Sequence, residues 1–382
     1  MKIPFNKPFI VGKELYYIAQ AVQSGKISGN GDFTKRCQAY FEQRYGFRKT
    51  LLTTSCSDAL EMAAILSNVG PGDEVIVPSY TFVTSALAFV RQGATIVFAD
   101  SRADHPNLDA TQLESLITPR TKVIVPVHYS GFACDMDTVM EIANRHNLIV
   151  VEDAAQAVES FYTGKDGVKR PLGGIGHLGC FSFHETKNVI AGEGGLLAIN
   201  DERFLHRAEI IWEKGTNRAE FFRGEVNKYG WVDVGSSFLP SELIAAFLYG
   251  QLEHLDAIQE KRIALWERYY EGLRPLAQEG MISLPTTPQG ATNNGHMFYI
   301  VCRSLDERSA LIAHLRATGI TAVFHYLSLH KSEFYKNRHD GRELPHCDRY
   351  TDCLLRLPMY YELGLTKVER VCNQITAFFS LH

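Results

Sequence analysis

The chain has 382 residues, 45% of them hydrophobic and 21% charged, with a formal net charge of −4. That balance suits a folded protein with room for two domains and excludes a general nucleic-acid binder. Eight scattered cysteines without a C-x-x-C, no run near the ~18 apolar residues of a membrane span, and no apolar leader core in Met1-Lys-Ile-Pro-Phe-Asn6 point to a reduced, cytoplasmic protein with no metal site and no membrane partner.

From about residue 50 to 200, helix-like and strand-like segments alternate. Ser57 to Leu66 places Leu60, Ala63 and Ala64 at helical spacing. Asp73-Glu-Val-Ile-Val-Pro78 reads as a strand leaving a Pro-Gly-Asp turn, Phe82 to Val90 as a helix, and Thr95-Ile-Val-Phe-Ala-Asp100 as the next strand. Lys122-Val-Ile-Val-Pro-Val127 and Leu148-Ile-Val-Val-Glu-Asp153 are two more. Unbroken Val/Ile runs predict strands buried on both faces, hence a mostly parallel sheet in an α/β domain. Ser241 to Glu271 is dominated by helix formers. Beyond it, strand-like Met297-Phe-Tyr-Ile-Val301 and Thr321-Ala-Val-Phe-His-Tyr326 flank a helix at Glu307 to Ala317. The expected division is a large domain over residues 1–250 and a smaller α+β domain over 251–382, with the N-terminal segment packing on the latter.

Three segments could carry chemistry. Thr53-Thr-Ser-Cys-Ser-Asp58 precedes a helix, where free N–H groups and the dipole suit a phosphate; plain N-capping is the alternative. Asp153 ends an apolar strand, at the sheet edge where α/β proteins bind ligands, or else caps a helix there. Lys187, in Cys180-Phe-Ser-Phe-His-Glu-Thr-Lys-Asn188, would need a neutral amine to attack a carbonyl, well below its free pKa of about 10.4. A lysine, an aspartate and a phosphate cradle are what a pyridoxal phosphate enzyme requires. The adjacent Gly192-Glu-Gly-Gly195 permits close backbone approach or makes a plain hairpin.

Two patterns mislead. Gly174-Ile-Gly-His-Leu-Gly179 matches G-x-G-x-x-G but precedes a strand, so it lacks the dinucleotide-binding context; His184-Glu185 begins an H-E-x-x-H that Asn188 breaks.

In their order and spacing, Ile3-Pro-Phe-Asn6, Pro78-Ser-Tyr-Thr-Phe-Val83, Pro126-Val-His128, Glu152-Asp-Ala-Ala-Gln156, Phe181-Ser-Phe-His-Glu-Thr-Lys-Asn188 and His325-Tyr326 resemble the DegT-type sugar-nucleotide aminotransferases. The resemblance spans nearly the whole chain and implies PLP fold type I, the aspartate-aminotransferase-like architecture, with pyridoxal 5'-phosphate as cofactor. It implies that Lys187 is the catalytic, cofactor-carrying lysine. It also gives Asp153 to the pyridine nitrogen, Gln156 to the ring hydroxyl, Phe82 to the ring face, and Cys56, Ser57, Asp58 and Ser182 to the phosphate. Ser237 stands where many relatives supply an asparagine from the second subunit, and a serine reaches less far. The resemblance still implies a homodimer with shared active sites. A branch of the family that replaces the lysine by histidine dehydrates sugars, and Lys187 argues against that chemistry.

His184-Glu-Thr-Lys-Asn188, Glu213-Lys-Gly-Thr-Asn-Arg218 and Val234-Gly-Ser-Ser237 resemble the branch making dTDP-4-amino-4,6-dideoxygalactose for surface antigens. Its members move an amino group from L-glutamate to C4 of dTDP-4-keto-6-deoxy-D-glucose. Asn217, Arg218 and Arg223, among aromatic neighbours, are candidates for the nucleotide sugar, with a solvated loop or dimer contact as the alternative. His325 and Tyr326 are further substrate candidates or packed structural residues. Another nucleotide-sugar aminotransferase, giving the 4-epimeric product or acting on a 3-keto sugar, and a non-catalytic sugar-nucleotide-binding protein of the same fold are the alternatives kept open.

Overall fold

In the computed structural model, residues 2–380 are described. Nine strands precede residue 200: β1 (Lys49–Thr53), β2 (Glu74–Pro78), β3 (Thr95–Ala99), β4 (Thr121–Ile124), β5 (Ile149–Asp153), a small hairpin β6 (Phe161–Thr163) and β7 (Lys169–Pro171), then β8 (Leu178–Ser182) and β9 (Gly195–Ile199). Seven of them form one sheet in the order β1-β9-β8-β5-β4-β2-β3. The run from β8 to β3 is parallel, and only β9 opposes its neighbours. The sheet is mostly parallel, as the Val/Ile runs predict.

Helices cover both faces, which is why the strands carry apolar residues at consecutive positions. Val75, Val77, Val123, Val151 and Leu197 enter one core layer with the helices Cys56–Leu66 and Glu202–Trp212. Their chain neighbours Ile76, Ile124, Val150, Leu196 and Ala198 enter the other, against Asp32–Tyr45, Met136–Arg145 and Glu242–Leu252. The architecture is that of PLP fold type I.

The stretch rich in helix formers from Ser241 folds as two helices, Glu242–Leu252 and Leu255–Gln278. The chain turns at Glu253–His254, where the Glu253 carboxylate accepts hydrogen bonds from Lys13 Nζ (3.0 Å) and Tyr17 Oη (2.7 Å). Beyond lies a second, antiparallel sheet, β10 (Tyr299–Val301), β11 (Val323–Phe324) and β12 (Leu354–Arg356), with β12 in the centre. It packs with the helices Leu255–Gln278, Leu305–Ala317 and Leu365–Ser380 around a separate core. Ile3 joins this core and bridges to Ile320.

β1, β2, β4, β5 and β8 all end at one edge of the large sheet. The segments after those ends are the ones that carry the expected site residues.

Candidate active site

The cradle begins where β1 delivers the chain to the helix Cys56–Leu66. Ser55 is its N-cap, and its Oγ accepts the Asp58 N–H at 3.1 Å. Both readings of this segment therefore apply, to different atoms. The Asp58 N–H, expected at the phosphate, donates here to the cap. The Cys56 and Ser57 N–H groups have no partner among the described residues and point out of a positive helix end. Gly195 lies between Thr53 and Ser182 in the sheet register. A Cβ at Gly195 would stand 2.3 Å from the Ser55 carbonyl carbon and 2.4 Å from Cys56 N, so only glycine lets β9 pass under the cradle. Gly195→Ala is expected to cost about 1–3 kcal/mol of stability and to weaken cofactor retention. Thermal melts and equilibrium titration with pyridoxal phosphate check this; unchanged values in both would remove the role given to Gly195.

Asp153 is buried at the end of β5. Its Oδ2 accepts from Ser85 Oγ at 2.6 Å and its Oδ1 from the Ala155 N–H at 3.1 Å. Ser85 in turn contacts Thr81 Oγ1 at 2.9 Å, so the carboxylate is aimed from two sides. Gln156 follows on the same loop. Its Oε1 accepts from Ser130 N at 2.6 Å, and its Nε2 donates to Tyr326 Oη at 3.1 Å. Tyr326 sits at φ 52°, a left-handed conformation that a tyrosine adopts only under constraint. Phe82 faces it with ring centroids 6.1 Å apart, yet leaves 53% of its surface exposed.

Lys187 lies in the loop between β8 and β9, so the Gly-rich segment is the return of a wide hairpin. Backbone bonds Phe183 N to Gly194 O, Ala191 N to Phe183 O and Glu185 N to Gly192 O fix the loop. Asn188 pins it further, its Nδ2 donating to Asn294 O at 2.9 Å and its Oδ1 contacting His296 Nδ1 at 2.9 Å. Burial pushes the Lys187 ammonium below its ordinary pKa, and the Arg356 guanidinium adds to this, while Cys56 and Asp153 oppose it. The shift favours the neutral, nucleophilic amine.

His325 is buried, with Nδ1 2.7 Å from Tyr129 Oη and its carbonyl accepting from Tyr80 Oη. Burial holds it neutral. Asn217, Arg218, Arg223 and Ser237 form a separate group on an exposed ribbon closed by the bridges Glu213–Ser237 and Thr216–Trp231. Arg223 is clasped by Glu225 and Glu209 at 2.7 and 2.9 Å, Arg218 lies 5.1 Å from the Phe222 ring, and Asn217 Oδ1 accepts from Gly230 N. Within one chain none of the four contacts Lys187 or Asp153.

The G-x-G-x-x-G segment has an internal ligand. The Gly173, Ile175 and Gly176 N–H groups donate to the buried Glu152 carboxylate at 2.7, 2.7 and 2.5 Å, and His128 Nε2 lies 2.8 Å from it. Those N–H groups are therefore committed to an internal carboxylate and are not free to cradle a phosphate. Among the described residues no helix is long and apolar enough to cross a membrane, and no cluster of His, Cys, Asp and Glu could hold a metal.

The residues present fit pyridoxal phosphate: an anion seat at Cys56 and Ser57, an open aromatic face at Phe82, an oriented carboxylate at Asp153 and a lysine with a lowered pKa. The model of the DegT/DnrJ/EryC1/StrS aminotransferase family matches residues 8–376. The chain belongs to this family. Like its relatives it is a pyridoxal-phosphate-dependent sugar aminotransferase, acting on a nucleotide sugar with an amino donor. It is 31% identical to the spore coat polysaccharide biosynthesis protein SpsC of Bacillus subtilis (strain 168), over 98% of this chain and 96% of that one. It is 32% identical to S. venezuelae DesV, solved in complex with a ketimine intermediate, at a TM-score of 0.89 over 99% and 98% of the two chains. A Streptococcus pneumoniae relative, Spr1654, solved in PLP form, is 26% identical at a TM-score of 0.89 over 100% and 99%. The cofactor supplies an electron sink at the carbon that exchanges its amino group.

Sequence reasoning missed Ser85 and Tyr129. Ser85 was findable as a hydroxyl one helical turn after Phe82; Tyr129 carries no local signal.

Proposed function

We propose that this aminotransferase moves an amino group from L-glutamate to C4 of dTDP-4-keto-6-deoxy-D-glucose, giving dTDP-4-amino-4,6-dideoxygalactose. The observation that carries the reading is Lys187, held with a lowered pKa on a pinned loop and within the electrostatic reach of Asp153. Its amine holds the cofactor and moves the proton at the reacting carbon. Asp153, oriented by Ser85 and the Ala155 N–H, keeps the ring nitrogen protonated. Phe82 would cover one ring face, Gln156 would stand beside the ring hydroxyl, and the Cys56 and Ser57 N–H groups with the Ser182 hydroxyl would hold the phosphate.

The choice of sugar rests on the segments around Lys187, Asn217 and Ser237 that resemble the C4 branch. The ribbon bearing Asn217, Arg218 and Arg223 also exposes 68% of Phe222 and 85% of Trp231. Aromatic surface on that scale supports a second copy covering it, in a homodimer where the ribbon and Ser237 serve the neighbouring site.

Incubation with dTDP-4-keto-6-deoxy-D-glucose and L-glutamate, followed by proton NMR of the product, tests the reading. An axial amine at C4 is expected. An equatorial amine, amination at C3, or no product would overturn the substrate assignment.

A further inference from the structure

The helix Glu202–Trp212 grips the exposed ribbon at three points. His206 Nε2 lies 2.7 Å from Glu220, Arg207 Nε donates to Asp233 Oδ2 at 2.6 Å, and Glu209 Oε2 accepts from Arg223 at 2.9 Å. The three grips are unequal. His206 is 71% exposed and Arg223 43%, so water and salt screen those pairs. Arg207 and Asp233 are 28% and 27% exposed, and a second guanidinium nitrogen faces the second carboxylate oxygen at 3.4 Å. Such a planar fork on a carboxylate, half out of water, is the kind of ion pair that holds geometry.

Arg207 has a second set of partners. Its Nη1 donates to the Ile65 carbonyl at 3.1 Å and to Asn68 Oδ1. Ile65 belongs to the last turn of the helix Cys56–Leu66, whose other end is the anion seat. A cation there meets a terminal carbonyl and the negative end of the helix dipole. One side chain thus ties the ribbon to the helix that begins at the seat. The tie reaches the rest of the ribbon through its backbone. The Val232 and Asp233 N–H groups donate to Gly215 O. A Cβ at Gly215 would stand 1.9 Å from Asp233 O, so the two runs of the ribbon touch there. Fixing Asp233 therefore fixes Gly215 and the residues just after it, Asn217 and Arg218. Arg223 is taken up by Glu209 and Glu225, whereas Arg218 lies over the Phe222 ring and pairs with no carboxylate among the described residues.

We propose that Arg207 is a positioning residue for the nucleotide sugar: it sets the ribbon against the cradle helix so that Asn217 and Arg218 meet the sugar at the neighbouring site. The inference rests on the reading of the ribbon as part of that site. Neither Lys187 nor Asp153 is among the partners of Arg207, so the half of the reaction that needs only the amino donor should not feel its loss. A lysine would keep the charge but not the fork.

The test compares wild type, Arg207→Met and Arg207→Lys as holoenzymes. With dTDP-4-keto-6-deoxy-D-glucose, Arg207→Met should raise the sugar KM roughly 10-fold and keep kcat within about twofold. The donor half-reaction, followed by cofactor absorbance without sugar, should keep its rate. Arg207→Lys should recover part of the KM. Hydrogen exchange from Glu213 to Ser237 should quicken in Arg207→Met, while the peptide around Lys187 stays as protected as in the wild type. A mixed dimer then places the ribbon. When a Lys187→Ala subunit is paired with an Arg207→Met subunit, the one working lysine draws its ribbon from the subunit whose Arg207 is intact. The sugar KM should return to the wild-type value. A KM that stays raised in the mixed dimer would overturn the neighbouring-site reading alone. An unchanged KM in Arg207→Met, a donor half-reaction slowed as much as the sugar half, or ribbon exchange equal to wild type would overturn the role of Arg207. A wild type that takes the donor but not this sugar would count against the sugar assignment, and ribbon exchange would still decide whether Arg207 is the anchor.

Discussion

Lys187→Ala should lower kcat by at least about 10⁴-fold, because it removes both the group that holds the cofactor covalently and the base that moves the proton. The fold should survive. The loop is held by backbone bonds from Phe183, Glu185 and Ala191 and by the Asn188 side chain, none of which involves the lysine side chain. Removing a desolvated amine also relieves a burial cost, so the melting temperature should stay level or rise. Cofactor should still bind through the Cys56–Ser57 seat and the Asp153 carboxylate, but without a covalent link. Borohydride treatment followed by mass spectrometry should fix cofactor to the peptide holding residue 187 in the wild type and to no peptide in the variant. Near-normal turnover in Lys187→Ala would sink the assignment of the lysine and the mechanism with it.

Asp153→Asn should cost about 10²–10³-fold in kcat while leaving fold and cofactor occupancy in place. The substitution keeps shape and removes charge. The amide oxygen can still accept from the Ala155 N–H, and the amide nitrogen can donate to Ser85 Oγ, which then turns its own proton toward Thr81. Local geometry therefore holds while the negative charge at the ring nitrogen is lost. Ser85→Ala separates aim from charge: the carboxylate stays but loses its 2.6 Å donor, and an intermediate fall in kcat is expected. Steady-state kinetics with cofactor content measured in parallel checks both. Full activity in Asp153→Asn would reassign the carboxylate to helix capping.

How much of this was legible depended on how far each feature is local. The strands at Glu74–Pro78, Thr95–Ala99 and Ile149–Asp153 announce themselves as apolar runs because both faces are buried. The strand Lys49–Thr53 and the helices Glu14–Gln23, Asp32–Tyr45 and Leu365–Ser380 were not singled out, since their apolar positions gain meaning only against partners distant in sequence. Asp153 was readable because a carboxylate closes an apolar run. Asp58 was half readable: its place at a helix start is visible, but the capture of its N–H by Ser55 depends on a rotamer. Tyr129 was invisible, because what sets it apart is its contact with His325, a residue distant in sequence. The Gly174 motif misled because its natural anion, Glu152, lies on a strand that periodicity cannot bring to it.

The position of β1 in the sheet has a kinetic consequence. Strands β2 to β5 can pair with one another as soon as they emerge, but β1 pairs only with β9, Thr53 against Gly195. Closing so long a loop is slow, and its entropic cost falls before any pairing offsets it. The anion seat at Cys56 and Ser57 hangs from the end of β1, so it is completed only when β9 has been made and has docked. During synthesis the nascent chain thus acquires its catalytic carboxylate and its lysine before it can hold a phosphate. The seat for the cofactor is among the last things to form, and cofactor capture reports that the sheet is finished.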